Sequence, residues 1–206
     1  MKTLLQIKSS MFSDGGQSSR LADRFVAAWR AGNPGARVVV RDLAVDPVPH
    51  LDATRFGAFL AKAEERSAGQ REVVDYSDAL IDEVRNADVI VLGVPMYNFG
   101  VPSSLKAYFD HIARAGVTFR YTESGPQGLL TGKRVVVFAT RGGIHAGTAS
   151  DTQTGFIRTF LGFLGLTDVE FVYAEGLAIG EQQRTSALAQ AHESIDYLAE
   201  ADAIAA

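Results

Sequence analysis

A short aliphatic run at Asp88–Val94 constrains the fold of this chain more than any other feature of its sequence. The run has the length of a strand and is almost uninterrupted, a pattern typical of strands that helices cover on both faces. Other short apolar segments alternate with stretches in which apolar residues recur at helical spacing. The sequence predicts five strands, at Leu4–Lys8, Arg37–Asp42, Asp88–Val94, Lys133–Ala139 and Asp168–Tyr173.

Helical patterns separate these strands and follow the last of them. Two helices are predicted within Leu51–Asn86, broken near Gly69, and the aromatic-rich segment Val117–Gly128 is predicted to form a hairpin. The other predicted helices run through Leu21–Trp29, Pro102–Ala115, Gln153–Leu164 and Gln182–Ala205. Strands that alternate with helices imply right-handed crossovers and a doubly wound parallel sheet with helices on both faces. Without a repeat or a linker, residues 1–206 are predicted to form a single α/β domain.

Composition removes several classes of function. The chain has no cysteine, which excludes disulfides and thiolate sites and is compatible with a reducing compartment. Its net charge is −4 without a basic block, so a nucleic acid is not expected as a partner. The four histidines lack metal-ligand spacing, and no metal is predicted. Because Met1–Ser10 is polar and the apolar runs are short, we expect no membrane partner and a cytoplasmic location.

A ligand site is expected at one edge of the predicted sheet. In doubly wound sheets, ligands bind beyond the carboxyl ends of the strands, near the point where the strand order reverses. The loops at that edge are Ser9–Ser19, Pro95–Val101 and Thr140–Asp151. Each of them departs from the composition of an ordinary connection.

The first loop is rich in serine and glycine and leads directly into a helix. The N–H groups of a helix N-terminus, together with serine hydroxyls, can hold a phosphate without any lysine. The chain has no P-loop motif and no G-x-G-x-x-G after its first strand. A mononucleotide held by its terminal phosphate fits this pattern, and flavin mononucleotide (FMN) is its usual ligand. The alternative is a solvent loop in which Ser18 caps the helix and Gly15-Gly16 forms a turn.

The second and third loops each allow a binding role and a structural role. Tyr97 and Phe99 can form an aromatic wall beside Asn98, or they can simply cover the core. The third loop places Arg141 beside two glycines, whose N–H groups can approach a ligand and stabilise negative charge. Its alternative is a glycine turn in which Arg141 is solvated.

Several long and unusual segments occur in order along the chain: Lys8-Ser-Ser10, Gln17-Ser18, Arg41-Asp-Leu43, Pro95-Met-Tyr-Asn-Phe99, Ala113–Glu123, Arg141-Gly-Gly-Ile-His145 and Thr159-Phe-Leu-Gly-Phe163. With these segments the chain resembles, over nearly its whole length, the FMN-dependent NADH:azoreductase and quinone reductase family of flavodoxin-like proteins. The resemblance implies a flavodoxin-like fold, with a five-stranded parallel sheet in the order 2-1-3-4-5 and helices on both faces.

The resemblance also implies roles for residues of all three loops. The phosphate of FMN would be bound by Ser10, Gly16, Gln17 and Ser18, with Gly16 standing where the family usually has serine. The edge of the isoalloxazine ring would be lined by Met96, Tyr97, Asn98 and Phe99. Its pyrimidine end would be faced by Thr140, Arg141, Gly142 and Gly143. Candidates for the substrate pocket are Phe99, Tyr121, His145 and Phe163. No residue is assigned as catalytic, because the flavin carries the chemistry.

The activity that the resemblance implies is hydride transfer from NADH or NADPH, through bound FMN, to quinones and aromatic azo compounds. Ping-pong kinetics and a homodimer with the site at its interface belong to the same expectation. Two alternatives remain open from the residues. A flavodoxin-like electron carrier would bind FMN without its own NAD(P)H turnover, and a regulatory or scaffold protein would keep the fold without the flavin. The modest net charge and the aromatic hairpin favour the enzyme over the carrier.

Overall fold

The computed structural model describes the backbone of residues 1–204 and the side chains of residues 1–201. Its centre is a five-stranded sheet in which all neighbouring strands are parallel. The chain's strands are β1 (Thr3–Lys8), β2 (Arg37–Asp42), β3 (Val89–Pro95), β4 (Phe119–Thr122), β5 (Gly125–Gly128), β6 (Arg134–Thr140) and β7 (Asp168–Ala174). The sheet has the order β2-β1-β3-β6-β7, and β4 pairs with β5 in a separate antiparallel hairpin. The predicted sheet order and hairpin are therefore confirmed.

Helices connect the strands in the predicted alternation. They are α1 (Gln17–Gly32), α2 (Ala53–Leu60), α3 (Ala68–Asn86), α4 (Ser103–Ile112), α5 (Thr152–Leu164) and α6 (Glu181–Ile204). The predicted end of the last helix, Ala205, lies outside the described residues. Within the described part of the chain, no helix is both long and apolar enough to cross a membrane.

The two faces of the sheet bury separate apolar clusters, as a doubly wound fold requires. On one face Val91 of β3 packs in a cluster with Trp29 of α1 and Ile195 of α6. On the other face Ile90 of β3 belongs to a cluster that includes Tyr108 of α4, together with residues of α3 and α5. Alternate residues of β3 thus point into opposite cores, which explains why aliphatic residues do not alternate with polar ones along this strand.

The two helices predicted within Leu51–Asn86 are confirmed, but the break between them ends just before Gly69 rather than at it. The region between α2 and α3 ends at Ser67, and Gly69 is the second residue of α3. A capping box starts α3: the Ser67 hydroxyl accepts from the Gln70 N–H, and the Gln70 side chain accepts from the Ser67 N–H. The pattern S-x-x-Q is readable in the sequence as a helix start, and glycine two residues into a helix does not end it.

The hairpin packs against the far end of α5. A Cβ at Gly128 of β5 would overlap the backbone of Leu164 and Gly165, so this position admits only glycine. Gly165 has a φ of +95° and ends α5 in the left-handed conformation. These two glycines place the hairpin at the amino-terminal edge of β7, away from the carboxyl edge of the sheet.

Candidate functional site

The register of the sheet brings the three candidate loops together at its carboxyl edge. Pro95 pairs with Thr140 in the register of β3 and β6. The Met96 N–H donates to the Thr140 carbonyl at 2.8 Å, and the Ser9 N–H donates to the Gly93 carbonyl at 3.2 Å. Because β1, β3 and β6 are neighbours, the loops that follow them begin side by side.

The first loop enters α1 through a residue without a side chain. A 3₁₀ turn at Ser13–Gly15 precedes Gly16, which is the N-cap of α1. The alternative in which Ser18 caps the helix is wrong, because Ser18 is the second residue of α1. The Gly16 N–H donates to the Ser13 carbonyl at 3.2 Å, so the free donors at this end belong to Gln17 and the residues that follow it.

Buried hydroxyls without partners lie at this uncapped helix end. The hydroxyls of Ser18 and Ser19 are buried and have no hydrogen-bond partner among the described residues. Ser10 is also buried; its Oγ accepts from the Phe12 N–H at 3.2 Å and lies 3.4 Å from the Tyr97 hydroxyl. A buried polar group without a partner costs about 1–3 kcal/mol, which a bound anion at a helix N-terminus would offset.

Two glycines permit the close approach on which this arrangement depends. A Cβ at Gly93 of β3 would lie 3.1 Å from the Ser18 carbonyl oxygen, so glycine lets the first turn of α1 rest on the sheet. A Cβ at Gly16 would overlap the Ser10 side chain. Glycine at position 16 therefore makes room for the Ser10 side chain, which a serine there would displace.

The buried Lys8 side chain holds the first loop in place through ion pairs with two aspartates. The Lys8 ammonium contacts Asp14 at 2.6 Å and Asp23 at 2.8 Å. Burial lowers the pKa of Lys8, but the hydrogen bonds to Asp14 and Asp23 outweigh this effect and raise it above its usual value. Because Lys8 compensates the Asp14 carboxylate, the only acidic side chain of the loop does not oppose an anion there.

The second loop is a tight turn with two residues in an unusual backbone conformation. Tyr97 and Gly100 exchange hydrogen bonds at 3.1 Å and 3.0 Å. Between them, Asn98 has a φ of +48° and Phe99 a φ of +65°, values that residues with side chains rarely adopt. Phe99 is 57% exposed, so the alternative in which it covers the core is wrong for this residue. Backbone strain of this kind is concentrated at ligand sites.

Arg141 of the third loop is buried, so the alternative in which it is solvated is wrong. Its guanidinium donates to Asp151 at 2.8 Å, to Glu175 at 3.0 Å and to Thr154 at 2.9 Å, and lies 5.1 Å from the ring centre of Tyr173. The backbone N–H of Arg141 donates to the Ala174 carbonyl. Arg141 therefore supports the loop from within rather than presenting its charge to a ligand.

The glycines that follow Arg141 keep their N–H groups free. The carbonyls of Gly142 and Gly143 accept from the N–H groups of Ala178 and Gly176, which fixes the loop against the segment after β7. The N–H groups of these two glycines donate to no described residue. Glu175 accepts from the N–H groups of residues 145 and 146 and closes the other side of the loop. The resulting pair of amides can stabilise an anionic ligand edge.

The candidate substrate-pocket residues form two separate groups in one chain. The Phe99 ring meets the His145 ring edge-on at 5.6 Å. Tyr121 and Phe163 both pack on Phe119 of β4, at 5.6 Å and 4.2 Å. The first group lies near the start of α5, where the Thr152 hydroxyl donates to the Phe99 carbonyl. The second group lies near its end, because Phe163 is in the last turn of α5, about 16 Å further along the helix.

Comparison with known proteins identifies the family. A family model described as a flavodoxin-like fold matches residues 1–198. The FMN-dependent NADH:quinone oxidoreductase of Cellvibrio japonicus is 59% identical over 94% of this chain and 96% of the relative. That of Burkholderia thailandensis is 60% identical over 95% of this chain and 98% of the relative. The chain belongs to the FMN-dependent NADH:quinone oxidoreductase family.

A solved structure from a more distant member of this fold carries the flavin. The FMN-dependent NADH-azoreductase of Bacillus anthracis, in complex with FMN, is 26% identical, has a TM-score of 0.89, and is matched over 98% of this chain and 100% of its own. The candidate site of this protein meets two chemical requirements for binding FMN. It has free donors for a phosphate at the first loop and free backbone amides for the ring at the third.

Sequence reasoning missed the residues that support the site from behind. These are Gly93, Asp151, Gln153, Thr154 and Glu175. Asp151 was the only one with a local signal, because its side chain accepts from the Thr154 N–H as an ordinary N-cap. The partners of Gln153 and Glu175 lie tens of residues away in the sequence, and no periodicity encodes them.

Proposed function

We propose that this protein binds FMN at the carboxyl edge of its sheet and catalyses the reduction of quinones by NADH. The observation that carries the proposal is the pair of buried, unpartnered hydroxyls, Ser18 and Ser19, at an uncapped helix end in a member of this family. The relatives' names supply FMN, NADH and quinone as cofactor, donor and acceptor. The name of the structural neighbour supports aromatic azo compounds as further acceptors.

The three loops would divide the recognition of FMN among them. The phosphate would be held by the side chains of Ser10 and Ser18 and by the N–H group of Gln17. The Gly16 N–H is bonded to the Ser13 carbonyl, so Gly16 would contribute only the space beside Ser10. The edge of the ring would lie along Met96, Tyr97, Asn98 and Phe99, and its pyrimidine end would face Thr140, Gly142 and Gly143. Arg141 would act through the loop that it supports. When bound, FMN supplies the hydride chemistry, accepting two electrons from NADH and passing them to the acceptor.

Anaerobic titration with NADH distinguishes the enzyme hypothesis from the electron-carrier hypothesis. We expect the FMN-loaded protein to lose its yellow colour when NADH is added without air and to regain it when a quinone follows. Because donor and acceptor would occupy the same flavin face in turn, double-reciprocal plots should be parallel. A flavin that stays oxidised with NADH, yet is reduced by a separate reductase, would identify a carrier. A protein that remains colourless with added FMN would be a scaffold.

A homodimer with the site at its interface would explain why the pocket residues are divided. Phe99 and His145 lie at the flavin loops, while Tyr121 and Phe163 lie at the hairpin. In a symmetric dimer, the hairpin of one copy can complete the pocket of the other. Tyr121 is 74% exposed, and Phe56 and Leu60 beside it are also exposed, which leaves this surface free for a second copy.

Mixing two inactive variants tests the shared site. Ser10→Ala/Ser18→Ala should lack FMN, and Tyr121→Ala/Phe163→Ala should bind FMN with poor turnover. In a refolded mixture, half of the dimers carry one copy of each, and about a quarter of all sites are intact. We expect about that fraction of the wild-type quinone reductase activity. Activity no higher than the sum of the two variants would place the whole site within one chain.

We also propose that residues 1–206 form one domain and that the protein works in the cytoplasm. The match of the family model to residues 1–198 supports the first point. A chain without cysteine suits a reducing compartment, which supports the second.

A further inference from the structure

The first turn of α5 contacts two of the three loops around the proposed flavin site. The Thr152 hydroxyl donates to the Phe99 carbonyl of the second loop. Asp151, the N-cap of α5, accepts from Arg141 of the third loop. Gln153 directly follows these two residues and contacts the second loop from the protein interior. One helical turn therefore connects the aromatic loop to the glycine loop.

Gln153 is the buried member of this turn. Its side chain is 1% exposed, and its Nε2 donates to the Pro95 carbonyl at 3.0 Å and to the Gly100 carbonyl at 3.2 Å. These carbonyls stand on either side of the turn in which Asn98 and Phe99 have positive φ. Each such residue stores about 1–3 kcal/mol, so the turn persists only while its surroundings hold it. The two N–H groups of one carboxamide diverge at a fixed angle and therefore set the separation of the two carbonyls.

We propose that Gln153 is a positioning residue for the flavin, which holds the strained turn at Asn98 and Phe99 in the conformation that lies along the ring. The inference rests on the proposed function, since it requires FMN at this edge. Gln153 itself faces the carbonyls of the loop and has no role in the chemistry. Without its two donors, the Pro95 carbonyl loses a buried partner, the Gly100 carbonyl keeps only the Tyr97 N–H, and the turn relaxes toward negative φ.

Two substitutions at this position remove the donors without changing the volume of the side chain much. Gln153→Met keeps the length and removes both donors, so that the Gly100 carbonyl retains only the bond from the Tyr97 N–H. Gln153→Glu keeps the shape, and only its protonated form can donate, to one carbonyl at a time. The matched control is Gln182→Met, the same change at an exposed position in the first turn of α6.

The first measurement needs no cofactor. In the protein without FMN, we expect hydrogen exchange of the Tyr97 and Gly100 amides, which bond to each other's carbonyls, to become at least about tenfold faster in Gln153→Met. Gln182→Met should exchange like the wild type. Unchanged exchange in Gln153→Met would show that the turn holds itself, and would overturn the proposal.

The second measurement separates positioning from general stability. With FMN saturating, we expect Gln153→Met to change the visible circular dichroism of the bound flavin and to slow its reduction by NADH by about tenfold, the effect of one misplaced interaction. In Gln153→Glu, part of the wild-type signal should return as the pH falls, because protonation restores one donor. A lower melting temperature with an unchanged flavin spectrum and unchanged reduction rate would make Gln153 purely structural.

A third variant covers the case in which the buried substitutions fail to fold. Thr152→Val removes the exposed hydroxyl bond to Phe99 on the same turn and should shift the flavin dichroism in the same direction, by less. No shift in this variant, with FMN bound, would contradict the role of α5. If the wild-type protein itself binds no FMN, the proposed function fails, and the exchange measurement still tests Gln153.

Discussion

Replacing Ser10 and Ser18 together by alanine is expected to raise the dissociation constant for FMN by at least about a hundredfold, because each lost hydrogen bond to a charged group costs about 1.5–3 kcal/mol. Riboflavin, which lacks the phosphate, should bind the variant as it binds the wild type. Titration calorimetry with both ligands measures the difference. Equal weakening of FMN and riboflavin would refute the assignment of this loop to the phosphate.

Removing the Ser18 hydroxyl is expected to leave the free protein at least as stable as the wild type, whereas removing the Ser10 hydroxyl takes away the acceptor of the Phe12 N–H. The Ser18 hydroxyl is buried without a partner, so its removal deletes a polar group that folding leaves unsatisfied. Thermal unfolding without FMN checks this point and serves as the control for folding. Ser18→Ala alone isolates the effect. A clear loss of stability in the free protein would mean that the hydroxyl has a structural partner.

Arg141→Met is expected to lower the free energy of unfolding by about 3–5 kcal/mol, the usual cost of removing one partner from a buried ion pair. The variant leaves the buried Asp151 and Glu175 carboxylates without their cation. Arg24→Met is the matched control, since Arg24 binds Asp196 at the surface, where such pairs contribute at most about 1 kcal/mol. Denaturant unfolding of both variants gives the comparison. Similar losses in the two variants would contradict the role assigned to Arg141.

The pH dependence of this effect has a definite sign. Burial raises the pKa of Asp151, but hydrogen bonds from Thr154 and Arg141 outweigh it and hold the pKa below its usual value. In the wild type, Asp151 therefore contributes stability that is present above the ordinary carboxylate pKa of about 4 and is lost as the pH falls through the lower folded value. In Arg141→Met, burial would favour the protonated form instead. The difference between the two proteins should thus shrink in acid.

The elements of the fold were predictable because their signals are local. Asp88–Val94 is a nearly continuous aliphatic run, and that pattern indicates a strand with a core on each side. The start of α3 has a local signal as well, because Ser67 and Gln70 form a capping box just before and after Gly69. The ends of the strands agree with the prediction to within one residue.

The candidate site was only partly predictable from the sequence. The three loops and their serines and glycines stood out by composition, and the resemblance to a known family assigned them to FMN. The state of Arg141 did not follow from composition, because whether a loop arginine is solvated or buried depends on Asp151 and Glu175. The division of the pocket residues was equally hidden, since Phe99 and Phe163 are separated by the length of α5.

Periodicity and composition are sufficient to predict the alternation of strands and helices, the edge of the sheet at which a ligand site is expected, and the chemical type of the groups gathered there. Each of these follows from periodicity or from local composition, which act over a few residues. Which of those groups remain free depends on the packing of the whole chain. Among the described residues the Ser18 hydroxyl has no partner, the Arg141 charge is compensated, and Gln153 holds a strained turn from behind. Hydrogen bonds and ion pairs between residues far apart in the chain leave no pattern in the sequence, because they depend on where the packed helices bring the side chains.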